Sequence, residues 1–334
     1  MLYLKRLLLL LSLIPLGAAC CDETCNVEND AGITEPTWST AFETSEMGTV
    51  SNVWGTGPND VFAVGGNDTR GAVMHFDGTR WSLTEIPDTG LLIWAFGFAS
   101  DDVYAVGIGG TFVHFDGSTW SILDPGTDED LWGVFGFTPN DIWVVGGSVN
   151  SDGIVLMHYD GQNVTHFSLD DTQNPDGARA LFKVWGIDGA LFTVGQKGLI
   201  LRYNGTTWEH QAVGDESNED FISLWGNAAD HIVAVGGRSS ARIATFDGTG
   251  WTSSAPSGVG GLNAVFMEDD GTTMVGGTWG TAAFYDFATG EFDCEDDLGT
   301  QVDVHALWGD GDGKTYAVGG TFLAPHRGVA IVRK

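Results

Sequence analysis

The sequence is poor in positive charge, cysteine and proline, and beyond its first residues it has no long apolar run. Only 14 Lys and Arg stand against 45 Asp and Glu, a formal net charge of −31. Such a chain repels phosphate backbones, which excludes nucleic acid as a natural partner. The four cysteines form no Cys-x-x-Cys pair and have no histidine cluster nearby, which excludes a zinc site of the usual spacing. No later segment approaches the roughly 20 apolar residues that a membrane-spanning helix needs. There is no Gly-x-Ser-x-Gly elbow, no glycine-rich phosphate loop and no His-Glu-x-x-His, so nothing points to an enzyme and no cofactor is called for. Hydrophobic content is 43%, which is ordinary for a folded chain and separates this one from acidic disordered tails.

What is abundant is glycine, at 49 residues, and tryptophan, at 13. Many glycines, few prolines and regularly spaced aromatics suggest short strands joined by tight turns. The first residues are different. Lys5 and Arg6 precede an apolar run from Leu7 to Leu16, followed by the small residues Gly17-Ala18-Ala19 and then Cys20. This is a secretory leader, set aside from fold reasoning. Residues 1–19 are read as signal peptide, 20–35 as a polar tether and 36–334 as one folded domain. Export permits disulfides, and Cys294 could pair with Cys21 or Cys25.

Within the domain one unit recurs. It begins Val53-Trp54-Gly55, continues Val61-Phe62-Ala63-Val64-Gly65-Gly66, then Met74-His75-Phe76-Asp77-Gly78, and ends at Trp81. We call its four runs strands a to d. The strand-a aromatic returns as Phe96, Phe135, Trp185, Trp225, Phe266 and Trp308, at intervals of 42, 39, 50, 40, 41 and 42. Seven copies of about 42 residues with four strands each match the period of a propeller blade. Asp-Gly and Asn-Gly between strands c and d are hairpin residues, because that turn needs positive φ. The seventh copy ends after strand c, at Arg333, and Pro36-Thr37-Trp38-Ser39 upstream reads as an unattached strand d. The expected fold is therefore an all-β, seven-bladed β-propeller whose N-terminal strand completes the last blade. Closure of this kind removes an exposed sheet edge.

The units resemble kelch-type repeats: Gly65-Gly66, Gly146-Gly147, Gly236-Gly237, Gly276-Gly277 and Gly319-Gly320 follow an apolar strand, and an aromatic then precedes Trp81 or Trp251. The Asp-Gly-x-x-Trp portion resembles an Asp-box, and the order Trp-Gly, then Asp-Gly-x-x-Trp is similar to tectonin-type lectin propellers. The composite resembles repeats of lipoproteins from gliding soil bacteria. Leu16-Gly17-Ala18-Ala19-Cys20 resembles a bacterial lipobox, which implies acylation of Cys20, although Gly17 stands where that pattern favours Leu. Anchoring in the cell envelope is the expectation, with a secreted chain as the alternative.

In such a blade the d–a and b–c loops share one face and the a–b and c–d turns the other. The turns are acidic, from Asp60 and Asp77 to Asp310 and Asp312, which is ordinary turn chemistry and also the raw material of a calcium site. The b–c loops carry Arg70, Lys197, Arg238 and Arg327, and Lys183 opens a strand a on the same face. These cations are a candidate site for an anionic or carboxylate-bearing ligand, or else they neutralise acidic neighbours. Trp94, Trp132 and Trp279 fall outside the repeat slots and map to that face, where they would stack on a sugar or peptide side chain, or pack between blades. His75, His114 and His158 share one slot on strand c, at a radius too large for one metal ion. The leading expectation is a monomeric binding scaffold that recognises a protein or glycan partner through the d–a/b–c face. One alternative is a carbohydrate-binding lectin. The other is a hydrolase or lyase in which Arg70, Arg238 and Arg327 would act like the carboxylate-binding arginines of sialidase propellers.

Overall fold

A computed structural model describes residues 37–148, 153–214, 217–295 and 298–334. The leader, Cys20, Cys21, Cys25 and the tether lie outside the described residues. Seven four-stranded antiparallel sheets run in sequence, each ordered a-b-c-d from the axis outward. Their inner strands are Thr49–Gly57, Leu92–Ala99, Leu131–Thr138, Leu181–Ile187, Phe221–Ala228, Leu262–Met267 and Val304–Gly309.

The last sheet closes as the sequence predicts. Its chain-terminal strand Gly328–Arg333 receives the strand Trp38–Thr40, with Trp38 opposite Arg333 and Thr40 opposite Ile331. Thr37 and Lys334 exchange backbone hydrogen bonds at 3.1 and 3.3 Å. The Trp38 indole donates to Glu295 at 3.1 Å, and Arg333 pairs with the same carboxylate at 3.0 Å, so blade 6 also grips the joint.

Two glycine positions explain the repeat. The first follows the strand-a aromatic in six of the seven blades, blade 6 having Met267 there, and in blades 1, 2 and 7 it faces the neighbouring plug ring: a Cβ on Gly97 would stand 2.7 Å from the Trp54 ring, and one on Gly55 2.8 Å from Trp308. The glycine ending strand b lies against the carbonyl that precedes strand a. A Cβ on Gly65 would meet Thr49 O at 1.9 Å, and one on Gly319 would meet Asp303 O at 1.8 Å. No side chain fits there, which is why glycine punctuates every strand b.

The outer turns are built by the aspartates. Asp77 Oδ1 accepts from the amides of Thr79 and Arg80 at 2.9 and 3.0 Å, and Asp116, Asp160, Asp247 and Asp286 repeat the pattern. The slot histidines are structural: His75, His114 and His158 bond Asp60, Asp102 and Asp141 at 2.7–2.9 Å. Each lies over the strand-b aromatic beside it, Phe62, Tyr104 or Trp143. Asp310 is held by the amides of Asp312 and Lys314 and by the Lys314 ammonium at 3.4 Å. Among the described residues no helix is long and apolar enough to cross a membrane.

Candidate functional site

Each inner strand contains a register irregularity near its start, in the same place in all seven blades. The ladder skips from Val50 to Asn52, Leu92 to Trp94, Leu131 to Gly133, Leu181 to Lys183, Phe221 to Ser223, Leu262 to Ala264 and Val304 to Ala306. The skipped residues are Ser51, Ile93, Trp132, Phe182, Ile222, Asn263 and His305, each three places before the strand-a aromatic. A bulge re-aims its side chain. Here all seven line one cavity of about 520 Å³ on the propeller axis, open on the d–a/b–c face. That volume lies within the ordinary range for small-molecule sites, roughly 300–1,000 Å³.

Below the cavity the channel is blocked. Trp54, Phe96, Phe135, Trp185, Trp225 and Phe266 pass ring to ring, with centroids 4.8–6.5 Å apart. Between them remains a void of about 20 Å³, space for about one water.

Lys183 stands at the junction of cavity and plug. It is 2% exposed, and its Nζ lies 2.7 Å from the centroid of the Trp94 ring and 5.8 Å from that of Trp225. The intervening blade offers Gly133 at this level, so no side chain separates the lysine from Trp94. Among the described residues no carboxylate pairs with the amine, and burial pushes its pKa well below the ordinary lysine value. Ser51, also 2% exposed, presents a hydroxyl with no hydrogen-bond partner. The rest of the wall is largely apolar: Ile93, Trp94, Trp132, Phe182, Ile222 and Phe322. Trp132 is fixed by its indole N–H, which donates to Gly147 O at 2.8 Å, and meets Phe182 edge-on. Burial lowers the pKa of His305, whose Nε2 donates to Gly320 O at 2.9 Å.

The rim is made by b–c loops. Three of them, at Ile108–Gly110, Gln196–Gly198 and Thr278–Gly280, are single turns with a left-handed central residue. In each, that residue's amide donates to an aspartate of the next blade: Gly109 to Asp130, Lys197 to Asp220 and Trp279 to Asp303, at 2.9–3.0 Å. Glycine takes this conformation without cost, whereas Lys197 and Trp279 hold φ of 57° and 60°. Trp279 is 72% exposed, and Leu323, in the b–c loop of the next blade, is 70% exposed.

The structure thus brings four of the residues singled out by sequence, Trp94, Trp132, Lys183 and Arg238, to one cavity wall. The others are elsewhere. Arg70 pairs with Glu85 and donates to Glu46 O, Lys197 donates to Asp176 O, and Arg327 is exposed on its loop. Arg238 itself pairs with Asp220 of the d–a loop. Sequence reasoning missed Ser51, Ile93, Ile222, Asn263, His305 and Phe322. Cys294 is half-buried at the end of its strand.

No protein-family model matches the sequence, and no curated protein matches it. Solved structures match closely in shape. Virginiamycin B lyase from Staphylococcus aureus aligns over 90% of this chain and 100% of its own, at 12% identity and TM-score 0.70. YCF48 bound to D1 peptide aligns over 88% and 96%, at 12% identity and TM-score 0.64. The extracellular domain of BT4673 from B. thetaiotaomicron aligns over 89% of this chain and 39% of its own, at 15% identity and TM-score 0.64. The likeness is one of fold. At these identities it says nothing of ligand or chemistry, since propellers host unrelated activities.

Proposed function

We propose that the chain is an exported binding protein, anchored in the cell envelope through Cys20, that engages a protein or glycan partner with its d–a/b–c face. The observation behind this reading is Trp279. A large aromatic, 72% exposed, is held at positive φ by an inter-blade hydrogen bond in a rim loop whose Thr278 lines the axial cavity, and the next blade's rim loop exposes Leu323. Left-handed backbone costs a non-glycine residue on the order of 1 kcal/mol or more, and the equivalent turn in blade 2 uses Gly109. Strain combined with exposed aromatic area is what a contact residue would show and a packing residue would not. Fold neighbours that include a peptide-bound propeller and an extracellular domain are compatible with this role.

The test is a Trp279→Ala, Leu323→Ala double variant of the anchored protein, compared with the parent on a broad glycan array and by site-specific photocrosslinking from the neighbouring exposed position 324 in cells. Loss of the parent's ligand in the variant is expected. A variant that keeps the same ligand at the same affinity would remove the face from consideration. Metabolic labelling with a fatty acid, abolished by Cys20→Ser, tests the anchor.

A further inference from the structure

The lining of the axial cavity combines a buried amine without a counter-charge and a buried hydroxyl without a partner. Buried polar groups are ordinarily paired, and an unpaired one costs about 1–3 kcal/mol. Lys183 and Ser51 are both 2% exposed, both line the same cavity, and neither has a hydrogen-bonding partner among the described residues.

We propose that the axial cavity is a binding site for a monocarboxylate borne on an aromatic or branched aliphatic group, the carboxylate accepting from Lys183 Nζ and Ser51 Oγ. This deepens the binding role proposed above and rests on it only in using the same face. The chemistry follows from the lining. A carboxylate accepts from both an ammonium and a hydroxyl, and it supplies the charge that Lys183 lacks. The body of the ligand would lie against Ile93, Trp132, Phe182 and Ile222, a wall suited to apolar or aromatic groups. The ring plug beneath sets the depth, so the acid enters head first and the rest of the molecule points to the rim. The other charged or titratable groups of the lining are Arg238, paired with Asp220, and Asp303 and His305. Asp303 is engaged by the Trp279 amide and His305 by Gly320 O, which leaves Lys183 as the group an incoming anion would meet. A second carboxylate in the ligand would meet only Arg238, already paired with Asp220, which is why a monoanion is favoured.

The same chemistry could be a free acid or the C-terminus of a peptide, and paired probes separate the two. Calorimetry on the full mature chain would compare indole-3-acetate and 4-methylpentanoate with their primary amides, and a Gly-Gly-Ser-Leu-Phe peptide with its C-terminal amide. The expected result is that an acid binds at least tenfold more tightly than its amide. Lys183→Met should abolish that preference while the protein stays folded, and Ser51→Ala should weaken acid binding severalfold. Preference for the small acids marks a metabolite site, and preference for the free-ended peptide marks a terminus-capturing site. Equal binding of acid and amide, or no binding of any probe by folded protein, overturns the proposal. If Trp279 variants still lose the partner while no acid binds, only this assignment falls. If acids bind through Lys183 while Trp279 variants bind their partner as before, the face reading falls instead.

Discussion

Deleting residues 35–45 should convert a closed ring into an aggregating one, and the structure gives the size of the effect. The deletion removes the strand Trp38–Thr40 and with it the Thr37–Lys334 exchange and the Ala41 amide to Ala330 O at 2.9 Å. The Thr44 hydroxyl bond to Gly328 O at 2.8 Å is also lost. At about 1 kcal/mol for each bond, this comes to a few kcal/mol. The larger part is apolar. Phe42 is 7% exposed and packs at a tilt 4.5 Å from Trp81, which in turn meets Tyr316 of the last blade edge-on. Losing a buried phenylalanine costs roughly 3–5 kcal/mol. The sum approaches the whole stability of an ordinary domain, about 5–15 kcal/mol. It also bares the backbone of Gly328–Arg333 as a template for another chain. Thermal melting and size-exclusion chromatography at several concentrations are the assays. A large fall in melting temperature with concentration-dependent oligomers is expected, and Phe42→Ala alone should reproduce the loss of stability without the exposed edge. A deletion variant as soluble and heat-resistant as the parent would refute the closure argument.

Two predictions concern pH. Lys183 has a folded pKa below its unfolded one, so the unfolded chain binds the extra proton and stability rises with pH towards the ordinary lysine value of 10.5. Lys183→Met should therefore raise the melting temperature at pH 7 and remove that alkaline rise. Equal stability of variant and parent from pH 7 to 10 would contradict it. The turn carboxylates act in the opposite sense. Asp77 is lowered from 3.8 to about 2, chiefly by the Thr79 hydroxyl and then by backbone amides, and Asp116, Asp160, Asp247 and Asp286 are lowered by the same kinds of bond. For Asp77 this contribution is present above about pH 4 and is lost as pH falls towards 2, and the other four lose theirs in the same direction as pH falls below the ordinary Asp value. NMR titration should find the Asp77 carboxyl well below 3.8, and a value at 3.8 would mean that the turn bonds do not form in solution.

The blade count and the closing strand were legible because their signals are local and repeated. An aromatic followed by glycine, an Asp-Gly turn and an orphan Trp38 each report a constraint that acts within one or two blades. The cavity was only half legible, for a definite reason. Simple alternation along strand a sends every second residue towards one side, and on that count Ser51, Ile93, Ile222, Asn263 and His305 do not face the axis. The bulge overrides the alternation, and a bulge is a property of two paired strands, not of one. Its only trace in the sequence is positional: the lining residue always stands three before the strand-a aromatic. The ion pairs of Arg70 with Glu85 and of Arg238 with Asp220 were hidden for a similar reason, because they depend on where neighbouring strands and loops meet.

That positional rule separates what the fold demands from what a ligand could demand. The plug aromatics are constrained by one another, and the glycine that follows them in six of the seven blades is confined by close backbone and ring neighbours. The residue three places earlier has no such constraint. Across the seven blades it is serine, isoleucine, tryptophan, phenylalanine, isoleucine, asparagine and histidine, chemically as varied as the plug is uniform. A slot that keeps its geometry and varies its chemistry is the natural place for specificity in a ring of repeats. Lys183 is one step further in, at a level where the other blades offer Asn52, Trp94, Gly133, Ser223, Ala264 and Ala306. Of these seven residues only the lysine can carry a positive charge, and Gly133 opens the space that lets it reach the Trp94 ring. Packing alone would be served better by an apolar side chain at that point, because a buried amine with ring faces but no counter-charge beside it weakens the fold. The loss is understandable if the charge is completed by something that enters from the open face.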